Sequence, residues 1–241
     1  MDMSGRQQRT SGAHSGAERV VILGAGGLGS MAADLCGATG QELVGFLDNR
    51  KPPGTRIYGN PVLGPFDLLE KDAELGKACR FIVAVGDPLL RREWLGRIAG
   101  AGGRLVNLIH PSVSCSPSAR LGEGIMICPY TIIYPGVEIA DGCLIEGRCT
   151  LGPEVSVMTV CVIAEGAILG LQTRIGADSF VGSAAVTRPG VTIGQGCLIG
   201  MNSTVTRDIP PFKVAVGSPA RVLRDNTELH PGCAERNGQD R

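Results

Sequence analysis

A glycine-rich segment near residue 24 has the residue types and spacing of a phosphate-binding turn. Gly24, Gly26, Gly27 and Gly29 follow an apolar run, and Asp48 lies 19 residues after Gly29 at the end of the next strand-like run. Glycines at a strand-to-helix turn let backbone N–H groups approach a phosphate, and a carboxylate at the next strand end can reach a ribose or a base. The segment therefore favours nucleotide binding without naming the nucleotide, and a tight turn with no ligand remains the alternative.

The elements that must position this segment alternate between buried strands and amphipathic helices. The strand-like runs have no polar face, which is typical of parallel strands covered by helices on both sides. The pattern predicts a small Rossmann-like parallel α/β domain over residues 19–108, with Gly86 and Asp87 following a further strand. The runs are, in chain order, Val20–Leu23, Leu28–Ala38, Leu43–Leu47, Phe66–Leu75, Phe81–Val85, Pro88–Ala99 and Leu105–Ile109.

From Ile109 onward a branched aliphatic residue recurs at every sixth position. Fifteen of the 17 positions in this column are Ile, Leu or Val, and the phase does not slip over about 100 residues. A second column of small or compact residues lies four positions after the first, and it contains four of the nine cysteines. The first column is Ile109, Cys115, Leu121, Ile127, Ile133, Ile139, Ile145, Leu151, Val157, Ile163, Leu169, Ile175, Val181, Thr187, Ile193, Ile199 and Val205.

A six-residue unit has the length of a short strand plus a turn. Three units close a triangular coil whose interior takes one branched aliphatic and one small residue per side, and stacked coils bury what a single coil leaves exposed. The repeat resembles the hexapeptide repeat of the left-handed parallel β-helix, and this resemblance supplies the handedness and the expectation of a homotrimer. We expect the β-helix over residues 109–210 and a closing segment over residues 211–224.

The composition argues against several function classes. A chain of 241 residues has room for two domains, and 23 basic against 23 acidic residues give no broad surface for nucleic acid or anionic membrane. No apolar run approaches the 18 or so residues that cross a bilayer, so a soluble cytoplasmic protein is expected. Residues 1–18 and 225–241 have the composition of polar tails. The nine cysteines include no CxxC pair, so we expect reduced thiols and no metal site.

Five short segments carry a family resemblance when they are taken together with the repeat. They are GAGGLG (24–29), GFLDN (45–49), VAVGDPLLRR (83–92), LIHPS (108–112) and VGSPAR (216–221). The chain resembles the sugar acetyltransferases of bacterial glycan synthesis, which include UDP-amino-sugar and GDP-perosamine N-acetyltransferases and the sialic acid O-acetyltransferase group. The resemblance implies that the N-terminal domain binds a nucleotide-sugar or amino-sugar acceptor. It also implies that acetyl-CoA, as co-substrate, lies between neighbouring β-helices of a homotrimer.

The resemblance assigns two groups of binding residues by position. The segment 24–29 would hold the acceptor's phosphates, Asp48 and Asn49 its nucleoside or sugar, and Gly86 and Asp87 the same crevice. A helix cap explains Asp87 equally well. The acyl-CoA group consists of Gly182, Ser183, Gly200, Met201, Arg207 and Arg221, with Arg188 as a further candidate for the CoA phosphates.

The chain departs from the family at the catalytic base. Acyl transfer from CoA needs a group that takes the acceptor's proton, and in the family this group is a histidine. The position of that histidine is Pro153 here, and two further family histidines fall on Val162 and Leu28. Glu154 aligns with the carboxylate beside the family base and is the candidate replacement, because partial desolvation raises the pKa of a carboxylate. A solvated corner residue is the alternative.

Other reactive groups near this position have ordinary explanations. Cys149 and Cys161 fall in the column of small core residues, which predicts buried, unreactive thiols. Glu146 and Arg148 are explained as turn residues that face water. His110 precedes a proline at the domain junction, and we expect it to be a hinge or packing residue.

Three functions are consistent with these patterns. The favoured one is an acetyl-CoA-dependent acyltransferase acting on an amino sugar or a sugar nucleotide, in which Glu154, a water or the acceptor amine itself replaces the histidine. The second is a catalytically inactive binding or scaffolding homologue of that family. The third and weakest is a Rossmann oxidoreductase, for which the sequence offers no catalytic Tyr-Lys pair or second nicotinamide-domain pattern.

Overall fold

The chain folds into a parallel α/β domain followed by a three-sided parallel β-helix, which confirms the predicted fold class. The structure is a computed structural model and describes residues 17–227. Most of the two predicted tails, with His14 and His230, lies outside the described residues. No helix within residues 17–227 is long and apolar enough to span a membrane.

The N-terminal domain is built on a six-stranded sheet in the order β3-β4-β2-β1-β5-β6. Neighbouring strands are parallel except β3 and β4, which form an antiparallel hairpin. The elements are β1 (Arg19–Leu23), α1 (Gly27–Ala38), β2 (Glu42–Leu47), β3 (Arg56–Ile57), β4 (Asn60–Gly64), α2 (Leu68–Lys71), α3 (Ala73–Ala78), β5 (Arg80–Val83), α4 (Pro88–Gly100) and β6 (Arg104–Leu105).

Strand β1 explains why the predicted strands have no polar face. Its side chains alternate between two buried apolar clusters on opposite sides of the sheet. Val20 and Ile22 join the cluster that includes residues of α1, and Val21 and Leu23 join the cluster that includes Trp94 of α4. Because helices cover both sides, an apolar residue at every position is the stable choice.

The hydrophobic pattern does not predict two features of this domain. The β3–β4 hairpin turns at Tyr58 and Gly59, which have φ values of 47° and 85°, and β4 then pairs with β2. The run Phe66–Leu75 is not one helix but contributes to two short helices. The break occurs because the Asp72 carboxylate accepts a hydrogen bond from the Leu75 N–H and begins α3 as its N-cap.

Three sheets of short strands form the sides of the β-helix. Each strand pairs in parallel with the equivalent strand one coil later, as Met126 with Leu144 and Leu144 with Val162. Face A contains β7 (Leu108–Ile109), β10 (Met126–Ile127), β13 (Leu144–Ile145), β16 (Val162–Ile163), β19 (Phe180–Val181), β22 (Leu198–Ile199), β24 (Lys213–Val216) and the antiparallel β25 (Arg221–Asp225).

The other two faces follow the same repeat, and corners are named below by the faces that they join. Face B contains β8 (Ser114–Cys115), β11 (Ile132–Ile133), β14 (Thr150–Leu151), β17 (Ile168–Leu169), β20 (Val186–Thr187) and β23 (Thr204–Val205). Face C contains β9 (Arg120–Leu121), β12 (Glu138–Ile139), β15 (Ser156–Val157), β18 (Arg174–Ile175) and β21 (Thr192–Ile193).

The two sequence columns form the core of the β-helix. Every member of the first column within residues 127–205, and every member of the second within residues 125–209, is buried. Thr187, the polar member of the first column, satisfies its hydroxyl with Thr173 at an Oγ1–Oγ1 distance of 2.8 Å. Cys115 departs from the expectation of a buried column, because its coil is the first and no coil stacks before it.

The N-terminal domain covers the first coils of face A, whereas Phe180, farther along this face, is 41% exposed. The outward side chains of Leu108, Met126 and Leu144 are at most 2% exposed and share an apolar cluster with Ala32 and Leu35 of α1. The predicted domain boundary between residues 108 and 109 falls inside β7, whose first residue contributes to this contact. The two domains are therefore held together by an apolar interface as well as by the chain.

Substitution of Gly142 tests how closely α4 packs on the β-helix. A Cβ at Gly142 would lie 2.4 Å from Leu95 Cδ1 of α4, whereas a Cβ at Gly190 would meet nothing within 4 Å, and both glycines have positive φ. Gly142→Ala and Gly190→Ala should each lose about 1–2 kcal/mol to the left-handed backbone. Gly142→Ala should lose roughly 1–3 kcal/mol more to overpacking. Urea unfolding measures both, and equal losses would contradict this packing.

Candidate active site

The glycine-rich segment lies where the carboxyl ends of β1, β2 and β5 meet. Backbone hydrogen bonds of 2.8 Å join Gly24 N to Leu47 O and Ala84 N to Leu23 O across these strand ends. Gly24 has a φ of +106°, and a Cβ there would lie 2.6 Å from Ala84 O. A Cβ at Gly29 would lie 2.1 Å from Gly24 O. These two glycines are therefore required by backbone packing, whether or not a ligand binds.

Gly26 and Gly27 differ from the other two glycines because they are exposed, and a Cβ at either would meet nothing within 4 Å. Gly26 is the N-cap of α1 and has no side chain to cap it, and the first turn of α1 contains no acidic residue. The first backbone N–H groups of a helix have no partner within the helix, and its dipole favours an anion there. This end of α1 is open to a phosphate.

Asp48 organises the loops around the glycine segment. Its Oδ2 accepts a hydrogen bond from Ala25 N at 2.8 Å, and its Oδ1 accepts from Arg50 N at 2.8 Å and from Lys51 N at 3.0 Å. A carboxylate has about four acceptor positions, so these bonds leave little capacity for a ribose. The structure thus gives Asp48 a positioning role between two loops, which the sequence pattern does not distinguish from ligand binding.

A cavity of about 300 Å³ opens beside Asp48 and is lined by residues 48–53 and Pro65. Asn49 lies in this lining, and its Oδ1 accepts a hydrogen bond from Phe66 N at 2.8 Å. This bond directs the carbonyl oxygen of the amide to the protein and leaves its NH₂ group as a donor. Arg50 and Lys51 add two positive charges to the same cavity.

Gly86 and Asp87 follow β5 at the same edge of the sheet. The Asp87 carboxylate is the N-cap of α4, and its Oδ1 accepts from Leu89 N at 2.8 Å and from Leu90 N at 3.0 Å. A Cβ built on Gly86 would lie 4.0 Å from Leu28 Cδ1, so this loop adjoins the glycine segment. The cap accounts for Asp87 structurally, and a contact with substrate stays a prediction.

Glu154 lies at a B–C corner of the β-helix with a φ of +58°. Its Oε2 accepts a hydrogen bond from Gln172 Nε2 at 2.7 Å, one coil later. In the preceding coil, a Cβ built on Gly136 would lie 3.3 Å from Glu154 Cγ. Glu154 is exposed in the single chain, as the alternative of a solvated corner residue predicts, and its role as the base stays a prediction.

Pro153 has a structural explanation in the geometry of the B–C corner. Val155 N donates to Gly152 O at 3.3 Å, and Glu154 follows Pro153 with a left-handed backbone. This is the pattern of a type II turn, which favours proline at its second position. The same corner position is proline in four coils, namely Pro117, Pro135, Pro153 and Pro189.

The predicted acyl-CoA residues lie in three places, namely the two edges of face B and strand β25. Ser183 and Met201 are exposed and lie on successive coils at the A–B corner, whereas Arg188 and Arg207 lie at the B–C corner, as Glu154 does. Arg221 begins β25 and is exposed. A single chain therefore does not bring Glu154 together with Ser183 and Met201.

Two glycines of this group allow the coils to stack closely. A Cβ at Gly182 would lie 2.6 Å from Met201 N, and a Cβ at Gly200 would lie 2.8 Å from Val216 Cγ1. Both positions therefore need glycine for packing. A contact of either glycine with acetyl-CoA stays a prediction.

Comparison with known proteins agrees with this architecture. Residues 19–98 match the family described as the PglD N-terminal domain, and residues 172–207 match the hexapeptide repeat of succinyl-transferase. The acetyltransferase domain of PglB from Neisseria gonorrhoeae, solved with acetyl coenzyme A, is 32% identical, with a TM-score of 0.81 over 86% of this chain and 100% of that one. The chain belongs to the hexapeptide-repeat sugar acetyltransferases.

Two further similar proteins are an N-acetyltransferase and an O-acetyltransferase. A variant of perosamine N-acetyltransferase from Caulobacter crescentus, with one histidine replaced by asparagine, was solved with CoA and GDP-perosamine. It is 31% identical with a TM-score of 0.81, over 89% of this chain and 100% of that one. Galactoside O-acetyltransferase of Escherichia coli (strain K12) is 39% identical over 89 residues, or 37% of this chain. The chain spans only 25–44% of the length of the curated relatives it matches.

The remaining reactive groups of the chain have structural roles. Burial raises the pKa of the Cys149 thiol to about 11 and also raises that of Cys161, which agrees with inert core thiols. Glu146 Oε2 accepts from Glu165 N at 3.0 Å. His110 Nδ1 lies 2.8 Å from the Ser112 hydroxyl, which makes a local turn at the domain junction.

Arg148 lies at an A–B corner, on the edge of face B opposite to Glu154. It is exposed and forms an ion pair with Glu165 at 3.8 Å. Gln172, which donates a hydrogen bond to Glu154, is missing from the site that the sequence predicts. The signal for it is the coil period, because Gln172 occupies the position of Glu154 one coil later.

Proposed function

We propose that the chain transfers an acetyl group from acetyl-CoA to the amine of a nucleotide-linked amino sugar. The single observation that carries this proposal is the open N-terminus of α1, at Gly26 and Gly27, beside a cavity with two cationic side chains in a member of this family. An acceptor with a diphosphate fits that chemistry, because backbone N–H groups and cations both favour anions. The GDP-perosamine bound to the Caulobacter relative is an acceptor of this class.

The proposed acceptor site uses the N-terminal loops for separate tasks. Gly26 and Gly27 receive the phosphates, and the Asn49 amide donates to the nucleoside or sugar. Asp48 holds both loops in register through its three backbone hydrogen bonds. The acceptor's amine then extends from this domain toward the β-helix.

Face B supports the proposal of a homotrimer. Its outward side chains Ile132, Ile168 and Val186 are 40%, 45% and 36% exposed. The other outward residues of this face are small and polar, namely Ser114, Thr150 and Thr204. The outward side of face C is instead polar, with Arg120, Glu138, Ser156, Arg174 and Thr192, and the N-terminal domain covers face A as far as Val162. An apolar strip on one side of a solenoid marks an interface.

Packing of face B against a neighbour would join the divided site. The edge with Glu154 from one protomer and the edge with Ser183 and Met201 from the next would border one groove. Acetyl-CoA in that groove meets backbone at the A–B corner, and Arg207 and Arg221 supply charge for its phosphates. A groove between protomers would also remove water from around Glu154.

In the proposed reaction the acceptor nitrogen attacks the thioester carbonyl carbon, and the carbon–sulfur bond then breaks. Glu154, oriented by Gln172, takes the proton from the nitrogen, and the sulfur leaves as the CoA thiolate, which is protonated afterwards. Most of the acceleration would come from holding amine and thioester in contact, because orientation alone contributes about 7–11 kcal/mol in favourable cases. A histidine is not required for that contribution.

A binding or scaffolding protein is the second candidate function. Pro153 favours it, because proline stands where the resemblance expects the catalytic histidine. The Caulobacter variant that lacks one histidine still binds CoA and GDP-perosamine. Ligand binding can therefore persist in this family without a particular histidine.

Gly27→Glu tests the phosphate site. The new carboxylate would lie in the first turn of α1, where a negative charge stabilises the helix by about 0.3–1 kcal/mol but repels a phosphate. We expect unchanged or higher thermal stability and at least a tenfold weaker binding of UDP or GDP by calorimetry. The control is Gly37→Glu, because Gly37 is exposed in the same helix and has open space around it. Equal affinity in both variants would contradict the phosphate site.

Glu154→Gln tests the base. Thiol release from acetyl-CoA with an amino-sugar nucleotide should fall about 100-fold in kcat, with an unchanged KM for acetyl-CoA. The control is Glu123→Gln, an exposed glutamate at a C–A corner. Unchanged release would reject Glu154 as the base. No release from the unmodified protein, with release gained in Pro153→His, would favour the second candidate.

Ile168→Lys tests the trimer. A charge in the middle of the outward side of face B should prevent packing between protomers, since an unpaired buried charge is costly. Light scattering should give the mass of three 25.0 kDa chains for the unmodified protein and of one for the variant. Ser156→Lys, on the polar face C, is the control and should remain trimeric. A monomeric unmodified protein would contradict the groove between protomers.

A further inference from the structure

Two consecutive arginines of α4 connect the loop after β5 to the β-helix. Arg91 is only 1% exposed. Its Nε donates to Val85 O at 2.9 Å, and its Nη1 donates to Gly142 O at 3.4 Å. One guanidinium thus holds the residue before Gly86 and a C–A corner of the β-helix at once.

The environment of Arg91 is costly for a charge. Burial lowers the pKa of its guanidinium, and Nη2 is buried without a hydrogen-bond partner among residues 17–227. The Asp87 carboxylate, at the N-cap of the same helix, opposes this shift by its charge. A buried guanidinium with an unsatisfied N–H costs free energy that an apolar side chain of similar length would avoid. The hydrogen bonds of Arg91 to the loop after β5 and to the β-helix therefore point to a role in joining these two parts of the chain.

Arg92 makes the second connection, one position along the helix. Its Nη2 lies 2.5 Å from Asp178 Oδ1 and 3.2 Å from Thr159 Oγ1. The Asp178 side chain is only 8% exposed and also accepts from Gln195 Nε2 at 3.3 Å, so the partner of Arg92 is itself fixed. An ion pair with one desolvated, hydrogen-bonded member is stronger and more directional than a surface pair.

Together the two arginines attach α4 to C–A corners two coils apart, at Gly142 and Asp178. Between them, the side chain of Leu95 fills the space over Gly142, where a Cβ would lie 2.4 Å away. Helix α4 begins at the loop that carries Gly86 and Asp87. Any rotation of the N-terminal domain on face A would therefore have to break contacts at both arginines.

We propose that Arg91 and Arg92 are positioning residues for acyl transfer, which rests on the proposed function. They fix the domain that binds the acceptor relative to the β-helix that binds acetyl-CoA. Neither residue touches either ligand. Each domain binds its own ligand without them, but the amine and the thioester come into contact only when the domains keep one relative orientation. Misplacement of reacting groups by about 1 Å can lower a rate by as much as 100-fold.

Arg92→Gln tests this role by separating binding from turnover. We expect kcat for thiol release to fall about tenfold, while the calorimetric Kd values for UDP or GDP and for acetyl-CoA stay within twofold of the unmodified protein. Arg91→Lys should act in the same direction, because a lysine lacks the fork that reaches two carbonyls. Arg97→Gln is the matched control: Arg97 lies on the same helix but pairs with Glu70 of the same domain, at 2.6 Å, and should keep its kcat.

A charge reversal makes the test specific to the pair. Arg92→Glu and Asp178→Arg should each lower kcat, and the double variant should recover most of it. Arg148 adopts a left-handed backbone at another corner, with a φ of 59°. The backbone of a corner position such as Asp178 is therefore compatible with an arginine. An unchanged kcat in Arg92→Gln, or a loss of binding as large as the loss of kcat, would overturn the positioning role alone. Absence of thiol release from the unmodified protein would instead overturn the proposed function.

Discussion

The register between successive coils is the constraint on which the rest of the structure depends. In-register parallel pairing places each inward aliphatic directly over the equivalent residue one coil earlier, as Ile127 lies over Ile109 and Ile145 over Ile127. A slip of one residue would turn every inward side chain outward. The same register stacks the corners, so that residues one coil apart become neighbours. Glu154 and Gln172 are such a pair, and their contact follows from the coil length rather than from their types.

The three faces of the β-helix have different outward residues, and this difference organises the protein. Face A is apolar and its first coils carry the N-terminal domain, face B has the exposed apolar residues Ile132, Ile168 and Val186, and face C is polar. Candidate acetyl-CoA residues such as Ser183 lie on one edge of face B, and Glu154 lies on the other. In the proposed homotrimer, this divided site would be completed where two protomers meet. The N-terminal domain must then hold its acceptor at a fixed orientation to the groove, which gives the two α4 arginines their proposed purpose.

The sequence predicts the β-helix well because the same six-residue constraint recurs many times, so that single exceptions such as Thr187 do not hide it. It predicts the Rossmann-like strands because burial on both sides demands apolar runs. The β3–β4 hairpin escapes prediction, since it depends on a local turn at Tyr58 and Gly59 within a short polar stretch. Asp48 matches a ligand-binding pattern, but its carboxylate is largely used by backbone N–H groups, and no sequence pattern separates these roles. The structural reason for Pro153, in contrast, can be found in the sequence, because prolines recur at the equivalent corner position of other coils.

A crystal structure of the protein with acetyl-CoA tests the central claim most directly. The account predicts a trimer in which the pantetheine arm runs between the Ser183 edge of one protomer and the Glu154 edge of its neighbour, with the thioester carbon facing the N-terminal domain's open loops. Acetyl-CoA bound entirely within one protomer, or a trimer in which face B remains exposed to water, would contradict it.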